Sequence, residues 1–317
     1  MRRRTVLIAG GVAAVIVGSV AGGIATSQAA TVSPAVAVVD PPAVSLAASP
    51  YIYPVTGGKD PVAVMRQTGV KAFTLAFILN GGGCTPVWDG GASLTSAGPI
   101  NRINAIRKNG GDVVISVGGA SGNKLGNACS SPAALAGAYQ RVINAYKLRA
   151  LDIDLEAGEV PQSMKVLQAL KITKQKNPKV QLILTLGVGT QGLEGREKNI
   201  PGQAAAIGSP VDVWSIMPFD FCGGGKPNMT TLTFSASEGL HRQLKAALKL
   251  TDAQVYAKQG ISSMNGKTDC AGENVTVKDF QNMLGYVQQH HLARFTFWEL
   301  NRDGNLQYTK VIAQYKG

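Results

Sequence analysis

Apolar and polar positions follow two different periods along this chain. Short runs rich in Val, Ile, Leu and Phe predict buried strands, and apolar residues spaced three to four apart between them predict helices. The predicted strands are Tyr51–Val55, Ala72–Ile78, Asp112–Val117, Ala150–Leu155, Val180–Leu186, Val211–Met217, Gln254–Ser262 and Arg294–Trp298. The predicted helices include Pro61–Thr68, Ile100–Lys108, Ala133–Tyr146, Gln162–Lys174, Ser235–Leu250 and Val277–His290.

Strands that alternate with helices in this way predict an α/β protein, a single (β/α)₈ TIM barrel over residues 49–317. The alternative is a doubly wound open sheet, in which a phosphate-binding glycine loop would follow the first strand. The glycines at 81–83 follow the second strand instead. The glycines at 223–225 have the wrong spacing, and Pro227 stands where a phosphate loop needs Ser or Thr. We therefore favour the barrel.

The amino terminus has the features of an export signal. Three arginines at positions 2–4 precede an apolar run over residues 6–21, and small residues follow near position 30. We expect residues 1–30 to be a cleaved signal peptide, not a permanent anchor, and residues 31–48, rich in Ala, Val and Pro, to form a linker or extended tail. The protein is thus expected to be secreted, extracellular and free of the membrane after cleavage.

Four cysteines are present: Cys84, Cys129, Cys222 and Cys270. An even number in an exported protein indicates two disulfides, for which three pairings are possible. We favour Cys84–Cys129 and Cys222–Cys270, because each pair would join loops at one end of the barrel. The cysteines show no C-x-x-C spacing, which argues against a zinc site.

Composition and charge narrow the classes of partner. Hydrophobic residues make up 45% and charged residues 16% of the chain, a globular composition. The formal charge of +12 would fall to +9 without the three arginines of the signal, which favours anionic material and disfavours a polycationic polymer. The lysines are scattered, without a basic run or an aromatic–basic motif, so nucleic acid is not an expected partner.

Residues 151–156 alternate an aliphatic residue with an acid, which places Asp152, Asp154 and Glu156 on one face of a strand. The alternative is an ordinary strand with one solvated acidic face, but both faces are buried in a parallel barrel. Three inward carboxyl groups about 7 Å apart then cost free energy unless they share protons or bind something. Burial and repulsion should raise at least one pKa. Glu156, nearest the rim, is the natural proton donor, Asp154 would orient a substrate group, and Asp152 would tune Asp154.

The pattern D-x-D-x-E at the end of the fourth predicted strand resembles the signature of glycoside hydrolase family 18, the chitinases and endo-β-N-acetylglucosaminidases. Residues 116–119 resemble the family's S-x-G-G, and residues 217–220 resemble its M-x-Y-D. Trp298 ends the eighth strand, where the family keeps a tryptophan under the sugar. The segments around 84–88 and 298–303 resemble a compact bacterial chitinase subgroup.

The resemblance implies a substrate-binding set at Trp298, Met217, Phe219, Asp220, Trp88, Ser116 and Gly118. Within it we expect Ser116 and Gly118 mainly to make room beside the fourth strand. Trp298 is expected to be a sugar-stacking floor in preference to core packing. Trp88 is expected either at a rim subsite or in loop packing, and Asp220 to contact the acetamido group in preference to capping a loop.

The resemblance also implies a substrate-assisted mechanism with retention. The substrate's acetamido carbonyl oxygen attacks the anomeric carbon and forms an oxazolinium ion, while Glu156 protonates the leaving oxygen and later activates water. Asp154 would hold the acetamido N–H. No metal or cofactor is needed, and His241 and the histidines at 290–291 fall on predicted surface helices, so we expect them to be solvated.

Two phenylalanines depart from the family's pattern. The family often has Tyr at the position of Phe219, or in the compact subgroup at that of Phe221, and phenylalanine cannot donate a hydrogen bond to the acetamido carbonyl. Such a missing donor could cost on the order of 10²-fold in rate. Arg149 and Ala150 replace a usual Asp-Gly pair, with little expected effect.

The sequence is compatible with three functions. The first is retaining endo-hydrolysis of β-1,4-linked N-acetylglucosamine in chitin by a monomer. The second is the same chemistry on another such glycan, for example the chitobiose core of N-linked sugars or peptidoglycan. The third is a non-catalytic glycan-binding barrel, which the two phenylalanines motivate and the intact D-x-D-x-E opposes.

Overall fold

The computed structural model describes residues 36–317, so the predicted signal peptide, residues 1–30, and residues 31–35 lie outside the described residues. The strands are β1 (Tyr51–Ile52), β2 (Ala72–Asn80), β3 (Pro86–Trp88), β4 (Asp112–Gly118), β5 (Ala150–Leu155), β6 (Gln181–Gly187), β7 (Val213–Met217), β8 (Gln259–Met264), β9 (Gly266–Lys267), β10 (Asn274–Val275) and β11 (Arg294–Trp298). The α-helices are α1 (Pro61–Thr68), α2 (Ala97–Lys108), α3 (Leu125–Ala128), α4 (Pro132–Tyr146), α5 (Ser163–Lys176), α6 (Ile200–Ile207), α7 (Met229–Leu248), α8 (Asp252–Tyr256), α9 (Val277–His290) and α10 (Gln307–Ile312). Short 3₁₀ helices span Ala157–Gln162, Glu197–Asn199 and Leu300–Arg302.

Eight of the strands form one parallel sheet in the order β1-β2-β4-β5-β6-β7-β8-β11. Strand β3 pairs antiparallel with β2, and β9 pairs with β10 in a separate ribbon. The sheet curls until β11 reaches the chain that precedes β1, where the Phe295 backbone N–H donates to the Ala47 carbonyl over 2.9 Å. The predicted (β/α)₈ TIM barrel is confirmed.

Capping residues set the ends of helices that the sequence predicts correctly. Asp60 accepts hydrogen bonds from the first-turn N–H groups of α1, whose first residue is Pro61. Thr276 and Asp279 form a reciprocal capping box at the start of α9. Both helices have the predicted bounds.

The predicted strand Gln254–Ser262 is wrong at its start. Thr251 and Gln254 form a capping box, and the chain makes the short helix α8 before β8 begins at Gln259. The capping pattern T-x-x-Q was visible in the sequence, and it outweighs the β propensity of the residues that follow. The expectation that His241 is solvated is also wrong, because its side chain is buried and contacts Asp252 (2.7 Å) and Gln259 (3.2 Å).

The chain from residue 39 to 48 lies against the base of the barrel without forming a helix or strand. The Arg107 guanidinium donates to the Val39 carbonyl over 2.8 Å, and Arg149 donates to the Val44 carbonyl over 2.9 Å. Contacts with the barrel thus begin about ten residues before the predicted domain start at residue 49.

Both disulfides have the predicted pairing, Cys84–Cys129 and Cys222–Cys270. Each joins loops that follow barrel strands, β2 with β4 and β7 with β8, so both lie at the end of the barrel where the carboxyl ends of the strands meet. Among residues 36–317, the helices are all too short or too polar to cross a bilayer.

Candidate active site

A cleft of about 280 Å³ opens at the carboxyl ends of the barrel strands. Such clefts are where barrel proteins place their chemistry. The cleft is lined by Tyr51, Tyr53, Phe77, Asp89, Ala120, Ser121, Asp154, Glu156, Met217, Phe219, Asp220, Ser262, Met264, Asp269 and Trp298.

Asp152 lies at the bottom of the carboxylate column on β5 and is fully buried. Its carboxylate accepts hydrogen bonds of 2.7 Å from the hydroxyls of Tyr51, Ser116 and Thr185. These donors come from β1, β4 and β6, so the side chain points into the barrel as the alternation predicts. Three hydroxyl donors satisfy the carboxyl oxygens, which fixes the side chain of Asp152 below Asp154.

Asp154 lies one step higher and is 3% exposed. Among the described residues its Oδ1 has no hydrogen-bond partner, which leaves an acceptor free beside the cleft. Its backbone carbonyl accepts from the Gly119 N–H over 2.9 Å. An added Cβ at Gly118, where φ is 117°, would lie 2.2 Å from that carbonyl oxygen, so only glycine fits there.

Glu156 follows β5 directly and is only partly buried at the mouth of the barrel. Ala157 turns the chain sharply, with φ of 49° in the left-handed region that residues other than glycine rarely adopt. The turn ends the strand just after Glu156, so its carboxyl group stays on the cleft side.

Burial dominates the electrostatics of this pair. It raises the pKa of Asp154 well above its usual value, and the charges of Glu156 and Asp152 add to the effect. Burial also raises the pKa of Glu156 from an ordinary 4.5 to about 7, against an opposing effect of Lys124 and with a further rise from Asp220. Both carboxyl groups therefore hold their protons to higher pH than free carboxyl groups do, as an acid–base site requires.

The raised pKa of Glu156 makes stability depend on pH. Between pH 4.5 and about 7 the folded state keeps a proton that the unfolded chain releases, so folding stability falls as pH rises through this window. Because Glu156 is partly exposed, we expect a cost of about 2 kcal/mol at pH 8. Glu156→Gln should therefore raise Tm by about 3 °C at pH 8 and leave it unchanged at pH 4, measured by calorimetry.

The control for this prediction is Glu194→Gln, at an exposed loop position. Its Tm difference from the unsubstituted protein should be the same at both pH values. A Glu156→Gln difference that is equally independent of pH would contradict the raised pKa.

An aromatic group forms the floor of the cleft. The ring of Trp298 stacks on Phe77 with centroids 5.3 Å apart and a 17° interplanar angle. Tyr51 and Tyr53 flank it at 5.8 and 5.5 Å. Trp298 remains partly exposed, so one face is available to the cleft, as the stacking-floor prediction requires.

Met217 ends β7, Phe219 and Asp220 follow it, and all three line the cleft, as the sequence predicts. Asp220 Oδ1 also accepts hydrogen bonds from the backbone N–H groups of Asp269 (2.8 Å) and Cys270 (3.2 Å). Asp220 therefore anchors the loop after β8 in addition to facing the cleft.

Hydroxyl groups do line the cleft despite the two phenylalanines. Phe221 borders a neighbouring depression and Phe219 the cleft itself. The hydroxyl-bearing side chains in the cleft wall are those of Tyr51, Tyr53, Ser121 and Ser262.

Three residues of the predicted substrate-binding set lie behind the cleft and do not line it. Trp88 is fully buried, and its Nε1–H donates to the Tyr146 hydroxyl over 2.6 Å, so it packs behind the loop instead of forming a rim subsite. Ser116 is buried under Asp152, its hydrogen-bond partner. Gly118 provides room beside Asp154, as the sequence analysis also suggested.

Several cleft residues were missed from the sequence. Tyr51, Tyr53 and Phe77 lie on predicted strands, where alternation gives a facing direction but no way to choose between an interior and an exterior ring. Asp89 and Asp269 lie in loops, and loop positions follow no period. Their neighbours in sequence gave no signal that they would meet at one cleft.

Several proteins of similar sequence or structure carry the name chitinase. The chain is 26% identical over 262 residues to a probable bifunctional chitinase/lysozyme of Escherichia coli K12, which covers 77% of this chain and 29% of that protein. Catalytic-site mutants of active domain 2 of a thermostable chitinase from Pyrococcus furiosus, complexed with chito-oligosaccharides, are 28% identical with a TM-score of 0.74, over 83% of this chain and 86% of theirs. These similarities bear out the predicted resemblance to glycoside hydrolase family 18.

The same similarities also support the predicted class of enzyme, a glycosidase. A GH18 chitinase from Pseudoalteromonas aurantia shares the fold, with a TM-score of 0.63 at 17% identity over 84% of this chain and 98% of that one. No protein-family model matches the chain. The chain spans 29% of the length of the curated E. coli relative. The compact bacterial subgroup remains a prediction.

Within residues 36–317 no group of three or more His, Cys, Asp or Glu side chains is arranged to hold a metal ion. The expectation of catalysis by family 18 chemistry without a metal or cofactor remains a prediction.

Proposed function

We propose that this protein is a retaining, endo-acting chitinase that uses the acetamido group of its substrate as nucleophile. The observation that carries the proposal is the pair Asp154 and Glu156, both with raised pKa values and both facing a cleft floored by Trp298. A proton donor, a free acceptor and an aromatic face are the groups that this chemistry needs.

The roles follow from the contacts. Glu156, at the mouth of the barrel, donates its proton to the leaving oxygen and then takes one from water. Asp154 offers its free Oδ1 to the acetamido N–H, which orients the carbonyl oxygen toward the anomeric carbon. Asp220 and Asp89 each hold a neighbouring group, the 269–270 backbone and the Tyr53 hydroxyl. They are therefore less suited to direct attack as a nucleophile.

Charge favours chitin among the N-acetylglucosamine glycans. Within the described part of the chain, the charged side chains that line the cleft are all acidic: Asp89, Asp154, Glu156, Asp220 and Asp269. An anionic glycan such as peptidoglycan, with its lactyl carboxylates and peptide acids, would meet repulsion there. The positive charge of the whole chain lies elsewhere on its surface. Neutral chitin is thus preferred in the cleft.

The test is a substrate panel with product analysis. Purified protein should release short oligomers from chitin and from soluble N-acetylglucosamine oligomers, with the β-anomer formed first when NMR follows the products. It should act far more slowly on peptidoglycan strands or on a chitobiose-core glycopeptide. Formation of the α-anomer first would exclude retention, and a preference for either other glycan would identify the second hypothesis.

Trp298 provides a further prediction within this proposal. Trp298→Ala should raise KM for N-acetylglucosamine oligomers by about tenfold or more, because the sugar loses its stacking partner, and Trp298→Phe should recover much of the loss. Steady-state kinetics measure both variants. Unchanged kinetics for Trp298→Ala would show that this ring is core packing.

The third hypothesis, a non-catalytic barrel, has the two phenylalanines in its favour. Tight oligomer binding without hydrolysis over days would support it. The unpartnered Oδ1 of Asp154 and the raised pKa of Glu156 oppose it, because a binding protein needs neither.

We also propose that the protein is exported as a monomer. The basic and apolar amino terminus and the two disulfides support export to an oxidising compartment. Mass spectrometry of the secreted protein would locate the mature amino terminus near residue 31, and light scattering would give the oligomeric state.

A further inference from the structure

The side chain of Lys124 is buried beneath the loop of residues 118–124. Its ammonium donates to the backbone carbonyls of Gly118 (3.1 Å), Gly119 and Ser121 (2.5 Å). An ammonium has three N–H donors, so these carbonyls use all of them. Lys124 therefore closes the loop on itself from the inside.

This loop is joined to the acid–base pair. The Gly119 N–H donates to the Asp154 carbonyl, and Gly118 lies against the same peptide. Ala120 and Ser121 form part of the cleft wall. The Asn123 carbonyl accepts from the Asn80 N–H at the end of β2, which fixes the other side of the loop. A change in the loop would thus reach both Asp154 and the cleft.

The ammonium also lies among carboxyl groups. The charges of Glu159, Glu156, Asp154 and Asp89 all raise the pKa of Lys124, against a larger lowering by burial. Glu159 follows on the 3₁₀ helix after β5, is 1% exposed and accepts from the Gly126 N–H over 2.6 Å. The charge of Asp220, which follows β7, raises the pKa of Glu156. The charge of Lys124 lowers the pKa values of both Asp154 and Glu156.

We propose that Lys124 is a positioning residue for the Asp154–Glu156 pair, because one buried ammonium both clasps the 118–124 loop against Asp154 and offsets the negative charge around Glu156. The inference rests on the proposed function and deepens it. Lys124 acts on the pair in two ways, through the shape of the loop and through its charge. Different substitutions can test each effect.

The charge effect has a defined sign. Lys124 lowers the pKa of Glu156, so removing its charge raises that pKa further. The acid form of Glu156 then persists to higher pH. The alkaline limb of the pH profile of kcat/KM therefore moves to higher pH. Lys124→Met and Lys124→Gln should both move the limb up by about half to one pH unit. Lys124→Arg keeps the charge and should leave the limb in place.

The shape effect appears in the height of the profile. Lys124→Met loses every donor to the loop and should lower kcat/KM about tenfold at its optimum, since a small misplacement of the site is costly. Lys124→Gln keeps donors and should lose less. The matched control is Lys165→Met, because Lys165 also donates to two loop carbonyls, those of Gly126 and Cys129, while its charge lowers the pKa of Glu159. That control should leave the limb in place.

A second measurement does not depend on turnover. In protein labelled with ¹³C at the Glu side-chain carboxyl, the Glu156 signal is identified by its loss in Glu156→Gln, and its titration by NMR should shift upward in Lys124→Met but not in Lys165→Met. If the unsubstituted protein hydrolyses no substrate, the proposed function fails while this titration still decides the role of Lys124. Titration and limb unmoved in folded Lys124→Met and Lys124→Gln would overturn the inference.

Discussion

Glu156→Gln is expected to lower the turnover of N-acetylglucosamine oligomers by about 10³- to 10⁴-fold, the range that removal of a positioned general acid produces. The amide cannot release a proton to the leaving oxygen at any working pH. Its shape is nearly that of the carboxyl group, so the cleft and its aromatic floor should be preserved. Product release measured by chromatography gives the rate, and calorimetric titration with an oligomer should show binding within about threefold of the unsubstituted protein.

The leaving group provides the sharper form of this test. An oligomer that carries an activated aryl leaving group needs little protonation, so the variant should cleave that bond with a much smaller loss than it shows on a sugar–sugar bond. The matched control is Glu238→Gln on α7, a carboxylate bound by the hydroxyls of Tyr256 and Tyr286 on the outer helices. It should keep normal turnover. An equal loss on both substrates would point to a damaged site and not to a missing acid.

The second large effect is expected at Asp154. Asp154→Asn keeps an oxygen that can accept the acetamido N–H but removes the negative charge that stabilises the oxazolinium ion, so kcat should fall by about 10²-fold. The bound oligomer carries no positive charge before this ion forms, so the KM for oligomers should change little. Steady-state kinetics separate the two constants.

A thiazoline analogue of the cyclic intermediate tests the assignment directly. Its affinity for Asp154→Asn should fall in parallel with kcat, because an intermediate analogue reports interactions that strengthen during reaction. Asp212→Asn is the control, since Asp212 pairs with Lys174 on the outside of the barrel and should affect neither constant. An affinity of the analogue for Asp154→Asn equal to that for the unsubstituted protein would contradict the proposed contact.

The sequence predicted the part of the site that lies on regular structure. Because side chains alternate along a strand, Asp152, Asp154 and Glu156 had to share a face, and in a parallel barrel that face is the interior. The same reasoning placed Trp298 and the residues after β7 at the carboxyl ends of their strands. The cysteine pairs followed from the same topology, since loops after neighbouring strands meet at one end.

Residues in loops escaped prediction for a physical reason. Lys124 looked like one more scattered surface lysine, and only the fold of the 118–124 loop turns its ammonium inward onto three carbonyls. The sequence was equally consistent with Trp88 at the rim and with Trp88 packed in the loop. The pairing of β3 with β2 directs its ring toward Tyr146 instead of the cleft. Neither the direction of the Lys124 side chain nor that of the Trp88 ring follows from the periodicity of the sequence.

The sequence by itself thus determined the barrel, the disulfide pairing and the direction of the carboxylate column, because all three follow from strand periodicity and the order of the elements. Only the tertiary structure decided which side chains surround that column. The hydroxyls on Asp152, the free oxygen of Asp154 and the cation near Glu156 come from strands and loops far apart in the chain. Burial and charge at that meeting point set the pKa of each acid, and no local pattern encodes them.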